Sequence, residues 1–305
     1  STGEVFTVMD DLKKFRVPVL ILSGGEPLLH KDIFEISHRA KKMGFYVGLS
    51  SNGTLIDESN IEQIAAVGYD YVGISLDGIK ETHDKFRRME GAFDKSMHGI
   101  RLCKDRGIKV GIRYTLTQDN AHDLPGLLQL LEDEELDKFY LSHLNYAGRG
   151  NKNRKHDVFH QATRKAMDML FDASWKYQQQ GKHKEFVSGN NDTDGVYLLY
   201  WVRRNFPHLE EHIRAKLEQW GGNSSGVNIS NIDNLGNVHP DTMWWNYSIG
   251  NVRERPFSEI WQDTSDPIMA GLKAHPRKVG GRCGECRYFK ICGGNTRVRA
   301  WQVTG

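Results

Sequence analysis

The sequence Val19-Leu20-Ile21-Leu22-Ser23-Gly24-Gly25-Glu26-Pro27 decides how the fold is interpreted. Its apolar half predicts a β-strand that is buried on both faces, as the strands of parallel sheets are. The two glycines let a ligand approach the main chain without a Cβ in the way. Glu26 then places a carboxylate at the carboxyl end of the strand, where α/β folds bind their ligands. Gly-Gly-Glu alone is weak evidence, because most such triplets are ordinary turns with a solvated acid.

The same arrangement recurs along the chain at steady spacing. Four more strand-like segments follow, each after a helix-like segment and each ending in small or polar residues: 45–49, 71–76, 108–116 and 138–144. Such strand–helix units predict parallel strands with right-handed crossovers. Because the polar residues collect at one end of the strands, a partial (β/α)6 TIM-like barrel fits better than an open sheet. No Gly-x-Gly-x-x-Gly follows the first strand, which argues against a dinucleotide-binding sheet.

The remaining sequence predicts helices and then a glycine- and asparagine-rich region. Ser1 and Glu4 form a capping box for a helix that runs to Phe15. Residues 156–180 are predicted to be one amphipathic helix, and residues 196–220 a second helical region. We therefore predict an α/β barrel domain, a helical connection and a small irregular domain, at 1–155, 156–221 and 222–305.

Composition limits the partners that the chain can have. Its 305 residues include 41 Lys and Arg against 39 Asp and Glu, so overall charge gives no argument for nucleic acid or an anionic membrane. No apolar run approaches the roughly 20 residues that a membrane span requires, and the first residues lack a signal-peptide pattern. We expect a cytoplasmic protein with no nucleic-acid or membrane partner.

The cysteines give the most specific local pattern. Cys283-x2-Cys286-x5-Cys292 places three thiols close enough to hold one soft metal centre. His275 could complete a zinc site, whereas an iron–sulfur cluster usually takes a fourth cysteine. The spacing leaves zinc and iron–sulfur open. Cys103 lies within a predicted helix, and we interpret it as a core residue.

Several motifs, in this order, resemble radical S-adenosylmethionine enzymes with a SPASM or twitch-type auxiliary-cluster domain. They are 23–27, 51–53, 75–78 and the cysteine cluster. The family resemblance implies that the small irregular domain at 222–305 is an iron–sulfur domain. More narrowly, 140–150, 221–226, 239–245 and 292–297 resemble the NirJ-type enzymes of heme d1 biosynthesis. This resemblance implies that an external electron donor and a 5′-deoxyadenosyl radical drive the removal of two propionate side chains from didecarboxysiroheme, an iron-bearing tetrapyrrole.

The resemblance also implies a cofactor site at the carboxyl ends of the strands. Gly24, Gly25 and Glu26 would hold the methionyl amino group of S-adenosylmethionine. Ser75 and Arg113 would lie near its carboxylate and ribose, and three further residues would complete the rim: Asn52, Thr115 and Leu144. Two alternatives remain open: Arg113 could form an ion pair with Asp77, and Ser75 and Asn52 could cap the helices that follow their strands.

For the substrate, each candidate residue has a structural alternative. His143 could move a proton at the barrel mouth or make a satisfied hydrogen bond. Arg149 and Arg154 could position tetrapyrrole carboxylates, or they could be solvated charges. Trp244 and Trp245 could stack on a flat macrocycle, although aromatic pairs are more often core residues.

The chain departs from the family pattern at both cluster sites. No Cys-x3-Cys-x2-Cys is present, so we expect the ligands of the radical [4Fe–4S] cluster to lie outside these residues and the chain alone to be inactive. The fourth ligand of the auxiliary cluster is expected beyond Gly305. Asp241 and Thr296 stand where full SPASM domains carry cysteines, so we expect a single auxiliary [4Fe–4S] cluster.

Two other functions remain open. Within the same superfamily, the chain could be a peptide-maturing SPASM enzyme or a heme-pathway decarboxylase. In a different class, it could be a zinc-stabilised binding module on an inert barrel.

Overall fold

A computed structural model describes residues 1–304, and its main feature is a six-stranded parallel sheet with strands in sequence order. The strands are β1 Val19–Leu22, β2 Tyr46–Ser51, β3 Tyr71–Ser75, β4 Val110–Leu116, β5 Lys138–His143 and β6 Glu185–Gly189. Helices connect successive strands, as parallel pairing requires. The predicted fold class, a partial (β/α)6 barrel, is confirmed.

The helices of this region follow the predicted alternation. They are α1 Thr2–Lys14, α2 Ile33–Lys42, α3 Ile61–Val67, α4 Glu81–Arg87, α5 Ala92–Asp105, α6 Leu124–Asp133, α7 Arg149–Lys152 and α8 His160–Gln179. The capping box of α1 is confirmed, because Ser1 and Glu4 each bond the other's backbone. Among residues 1–304, none of the helices is both long and apolar enough to cross a membrane.

The rest of the chain is built from short elements. It contains α9 Thr193–Asn205, α10 Glu210–Trp220, α11 Phe257–Gln262, α12 Pro267–Lys273, α13 Gly281–Gly284, α14 Phe289–Cys292 and α15 Arg297–Thr304. A small antiparallel sheet is formed by β7 Asn231–Ile232, β8 Asn237–His239 and β9 Gly250–Asn251. The predicted helical region 196–220 is thus two helices, which Pro207 separates by starting a 3₁₀ turn.

The chain divides into two compact units. The first comprises Ser1–Ser142 and Asp172–Val187, and the second comprises His143–Phe171 and the residues from Ser188 onward. The predicted boundaries, near residues 155 and 221, stay a prediction.

Strands β3 and β4 have two distinct faces. Val72, Ile74, Val110 and Ile112 are fully buried, and Ile74 lies beside Ser96 of α5 on the helix side of the sheet. Because side chains alternate along a strand, the residues between them point to the opposite face. We call that face the lumen face; it consists of Tyr71, Gly73 and Ser75 in β3 and Gly111, Arg113 and Thr115 in β4.

Two sequence predictions about the sheet were wrong. Val19 and Ile21 are 44% and 50% exposed, so β1 is not buried on both faces. The reason is that β1 is the edge strand of an incomplete barrel. In addition, β6 was missed, because only Phe186 and Val187 are apolar in it and the flanking residues are polar.

Candidate functional site

The carboxylate of Glu26 is held by three donors at the ends of β1 and β2. Its Oε1 accepts the Leu28 N–H at 3.2 Å and the Ser51 hydroxyl at 2.8 Å, and its Oε2 accepts the Asn52 N–H at 2.7 Å. A carboxylate offers about four acceptor positions. One position on Oε2 is therefore left for a ligand donor, which suits a cation such as an ammonium group.

Gly24 and Gly25 leave the adjoining main chain open. Both are exposed, and a Cβ built on either one would have no atom within 4 Å. Gly24 has a φ of +149°, a conformation that L side chains rarely adopt. A ligand can therefore approach this backbone closely, as the resemblance predicts for the cofactor.

Four polar side chains near the carboxyl ends of β2, β3 and β4 have unused donors. Ser75 is the partner of Arg113 in the β3–β4 register. The Arg113 guanidinium lies 4.9 Å from the ring centroid of Tyr140. Among residues 1–304, four donor groups make no hydrogen bond: the Arg113 guanidinium, the Ser75 hydroxyl, the Thr115 hydroxyl and the side-chain NH₂ of Asn52. Such donors suit the carboxylate, ribose and adenine acceptors of a nucleotide ligand.

The structural alternatives for three of these residues were wrong. Asp77 is fully buried, and its carboxylate pairs with Arg87 rather than Arg113. Asn52 makes a local turn, in which its Oδ1 accepts the Thr54 N–H at 2.8 Å, and neither Asn52 nor Ser75 caps a helix. The cofactor role of the predicted rim residues stays a prediction.

A buried network that sequence reasoning missed fixes the ends of β3 and β4. Asp77 Oδ1 accepts the Thr115 N–H, and Asn120 Nδ2 donates to the carbonyls of Asp77 and Thr115, all at 2.8 Å. His83 Nδ1 accepts the Asp77 N–H at 2.9 Å. Burial lowers the pKa of His83 to about 4, so the ring is neutral and can act as this acceptor. The position of Asp77 directly after β3 was the one feature of the sequence that could have indicated this network.

His143 and Leu144 both belong to the second unit and are buried. His143 Nε2 lies 2.8 Å from Asp194 Oδ2, and Asp194 Oδ1 accepts from Asn191 at 2.8 Å. This contact is the satisfied hydrogen bond that was one of the two alternatives for His143, and it also fixes the orientation of the ring. The catalytic role of His143 and the adenine contact of Leu144 stay predictions.

The two candidate substrate arginines, Arg149 and Arg154, lie on an exposed segment of the second unit. Asp157 Oδ2 anchors this segment by accepting from the Tyr146 hydroxyl at 2.8 Å and from Arg299 at 2.5 Å. Within residues 1–304, the Arg149 guanidinium has no hydrogen-bond or ion-pair partner, whereas the Arg154 guanidinium contacts a carbonyl of α15 at 3.5 Å. Both side chains can reach a ligand, and their substrate role stays a prediction.

The cysteines occupy two kinds of environment. Cys103 is fully buried, and burial raises its pKa to about 12, which confirms that it is a core residue. Cys283 and Cys286 are exposed, and Cys292 is half-buried; burial raises the pKa of the Cys292 thiol, and the backbone N–H groups of Gly294 and Asn295 partly oppose this shift. This donor set suits a soft metal chemically. However, no three His, Cys, Asp or Glu side chains within residues 1–304 are gathered into a metal-binding group, so the ligand role stays a prediction.

Asp241 and Thr296, which the resemblance aligns with further cysteines of full SPASM domains, are buried. Asp241 accepts the Ser225 hydroxyl at 2.5 Å and the Met243 N–H at 3.0 Å, and Thr296 is also buried. Trp244 is a core residue that packs against Trp301 at 5.7 Å between ring centroids. Trp245 is 49% exposed and so remains available for stacking.

Known proteins resemble the chain over its whole length. The model of the radical SAM superfamily matches residues 1–131. The "Pre-heme d1 synthase" of Dinoroseobacter shibae is 51% identical over 307 positions, which cover 100% of this chain and 76% of that protein. The "Fe-coproporphyrin III synthase" of Methanosarcina barkeri is 42% identical over 100% of this chain and 77% of that protein.

A solved structure supports the same fold. Streptococcus suis SuiB bound to S-adenosylmethionine superposes with a TM-score of 0.73 at 17% identity, covering 100% of this chain and 67% of that one. The half-barrel, the Gly-Gly-Glu turn, the superfamily match and the 51% identity together show that the chain belongs to the radical SAM superfamily.

Proposed function

We propose that this protein is a radical SAM enzyme of heme d1 biosynthesis that removes two propionate side chains from didecarboxysiroheme. The observation that carries the proposal is the 51% identity to a pre-heme d1 synthase, which extends over the entire chain. The superfamily match ends at residue 131, but this identity continues through the second unit, where the predicted substrate residues lie.

In this proposal the rim of the barrel binds S-adenosylmethionine. The free acceptor position of Glu26 takes the methionyl ammonium group beside the open backbone of Gly24 and Gly25. Arg113 pairs with the methionyl carboxylate, since a guanidinium matches a carboxylate in geometry and charge. Four residues contact the ribose and adenine: Asn52, Ser75, Thr115 and Leu144. When bound and cleaved, S-adenosylmethionine supplies the 5′-deoxyadenosyl radical that takes hydrogen from a propionate side chain.

The second unit is proposed to contribute substrate and cluster residues. Arg149 and Arg154 are exposed cations that can pair with tetrapyrrole carboxylates. His143 is assigned to proton transfer, with Asp194 fixing its ring. Cys283, Cys286 and Cys292 supply three thiolates to one auxiliary [4Fe–4S] cluster of a SPASM or twitch-type domain. We further propose that the enzyme works in the cytoplasm with an external electron donor.

The test uses the gene product purified without oxygen and reconstituted with iron and sulfide. It is incubated with S-adenosylmethionine, a reductant and either didecarboxysiroheme or a precursor peptide of a SPASM enzyme. Mass spectrometry should show loss of two propionate groups from the tetrapyrrole, 5′-deoxyadenosine formation and no change in the peptide. Peptide modification without tetrapyrrole conversion would contradict the proposal. Zinc without acid-labile sulfide would favour the binding module instead.

A second candidate, decarboxylation in an alternative heme pathway, is favoured by the 42% identity to an Fe-coproporphyrin III synthase. The same incubation separates the two activities, because their products differ in mass. A product with the mass of Fe-coproporphyrin III would assign the second activity and exclude the first as the main reaction.

A further inference from the structure

Tyr71 has a buried hydroxyl without a partner. It is the first residue of β3, points to the lumen face and is only 7% exposed. Its Oη is shielded from solvent and makes no hydrogen bond within residues 1–304. Burial raises the pKa of this hydroxyl, so it stays protonated and remains a donor. Because a buried donor without an acceptor is unfavourable, an exception of this kind requires an explanation.

Two glycines on the lumen face make room for this tyrosine. A Cβ at Gly73 would lie 2.9 Å from Tyr71 Oη, and a Cβ at Gly111 would lie 2.8 Å from it. Gly73 and Gly111 are partners in the β3–β4 register, two residues before the pair formed by Ser75 and Arg113 and on the same face of the sheet. The Tyr71 hydroxyl therefore lies in the lumen, two residues along the strands before the Ser75–Arg113 pair of the candidate cofactor site.

The side chain of Arg113 reaches the same place. A Cβ atom built on Gly73 would lie 2.9 Å from Tyr71 Oη and 2.7 Å from Arg113 Cδ, so the two side chains approach the same point. The guanidinium is half-buried and has no hydrogen-bond or ion-pair partner in the described part of the chain. A donor hydroxyl and an unpaired cation thus lie side by side.

A second cation near Tyr71 already has an anionic partner. Lys138 Nζ lies 4.8 Å from the Tyr71 ring centroid, but it forms an ion pair with Glu185 at 3.1 Å. Glu185 also pairs with Lys109. Within residues 1–304, Arg113 is therefore the cation at this point of the lumen that lacks an ion-pair partner.

We propose that the Tyr71 hydroxyl and the Arg113 guanidinium together bind one carboxylate in the barrel lumen. A carboxylate accepts two parallel N–H bonds from a guanidinium and has positions left for the hydroxyl. Because no hydrogen bond fixes Arg113, its side chain can move and open the path to Tyr71. The inference deepens the proposed function and rests on it for the source of the carboxylate, which is either S-adenosylmethionine or the propionate-bearing substrate.

The test compares Tyr71→Phe with Tyr46→Phe in the 305-residue chain. Tyr46 is the first residue of the neighbouring strand β2 and is 41% exposed, so its hydroxyl can bond solvent and serves as a control for removing an exposed tyrosine hydroxyl. Calorimetry with S-adenosylhomocysteine should show about 10-fold weaker binding to the Tyr71 variant, because a hydrogen bond to a charged group is lost. The decarboxylated analogue should bind both variants and the wild type equally.

A stability measurement separates binding from a structural role. In the ligand-free chain, Tyr71→Phe removes an unsatisfied buried donor, so the melting temperature should stay unchanged or rise. Arg113→Lys keeps the charge but loses the paired N–H donors, and it should also weaken binding of the carboxylate ligand. A purely structural tyrosine would instead lower the melting temperature and leave ligand affinity unchanged, which would overturn the proposal.

A second ligand identifies the source of the carboxylate. If Tyr71→Phe leaves S-adenosylhomocysteine binding unchanged but weakens binding of didecarboxysiroheme and not of its methyl ester, the carboxylate belongs to the substrate. Wild-type affinity of the variant for both ligands would show that no such subsite exists. An enzyme that converts no tetrapyrrole, yet loses S-adenosylhomocysteine affinity with Tyr71→Phe, would contradict the proposed function and leave the subsite supported.

Discussion

Replacing Glu26 with Gln should damage cofactor binding far more than it damages the fold. The change converts one acceptor oxygen into a donor NH₂ group. All three contacts of the carboxylate come from donors: Leu28 N–H at 3.2 Å, the Ser51 hydroxyl at 2.8 Å and Asn52 N–H at 2.7 Å. Whichever oxygen is replaced, the new NH₂ faces a donor, and the negative charge that would attract an ammonium group is gone.

The expected losses of ligand affinity and of folding stability can be estimated from the hydrogen bonds that the substitution removes. A hydrogen bond between charged groups contributes about 1.5–3 kcal/mol, so affinity for a ligand ammonium should fall about 10- to 100-fold. An unsatisfied buried donor costs about 1–3 kcal/mol. Because Glu26 is only half-buried, we expect the free energy of unfolding to fall by about 1 kcal/mol, near the lower end of this range.

Calorimetry with two ligands tests this reasoning. S-adenosylmethionine carries the amino group, whereas 5′-methylthioadenosine lacks it, so only the first should bind Glu26→Gln more weakly. Glu35→Gln is the matched control, since the Glu35 side chain is exposed on α2 and has no hydrogen-bond or ion-pair partner within residues 1–304. Equal losses for both ligands, or wild-type affinity for both, would refute the assignment of Glu26 to the amino group.

Two further predictions concern stability. Burial lowers the pKa of His83 to about 4 in the folded chain, whereas the unfolded chain keeps a value of about 6.5. As the pH falls, the imidazole is therefore protonated first in the unfolded chain, and stability is lost from about pH 6.5 downward. Between pH 7 and pH 4.5, the free energy of unfolding should therefore fall by about 2–3 kcal/mol less in His83→Gln than in the wild type, as measured by urea unfolding. The same pH dependence in both proteins would contradict this prediction. Gly111→Ala should destabilise the chain by about 1–3 kcal/mol, because its Cβ would lie 2.6 Å from the Lys138 carbonyl oxygen. Gly3→Ala in α1, where a Cβ meets no atom within 4 Å, should stabilise it by about 0.5–1 kcal/mol; comparable losses in both would reject the steric explanation.

Local patterns predicted much of the barrel. Apolar runs followed by glycine or polar residues located β1 to β5, and the capping box located the start of α1. These signals depend on neighbours in sequence, so they can be read without the fold. β6 has only two apolar residues, and its place in the sheet depends on pairing with β5, which lies more than 40 residues earlier. Its local signal was therefore too weak.

The sequence likewise predicted only part of the candidate site. Gly24, Gly25 and Glu26 stood out because the glycines are consecutive and the acid follows a strand. The partners of that acid could not be predicted, since Ser51 and Asn52 meet Glu26 only because β1 and β2 pair in parallel. For Arg113 the sequence left Asp77 as a plausible partner, and only the fold showed that Arg87 occupies it.

The sequence by itself determined the parallel α/β architecture and the position of the Gly-Gly-Glu turn, because hydrophobic period and glycine placement are properties of consecutive residues. Only the tertiary structure decided which polar groups are satisfied and which are left with unused donors. Asp77, His83 and Asn120 satisfy one another, whereas Arg113 and Tyr71 do not, and this difference depends on strand register across the sheet. Hydrogen bonding acts over about 3 Å, so it is set by residues that are close in space and distant in sequence.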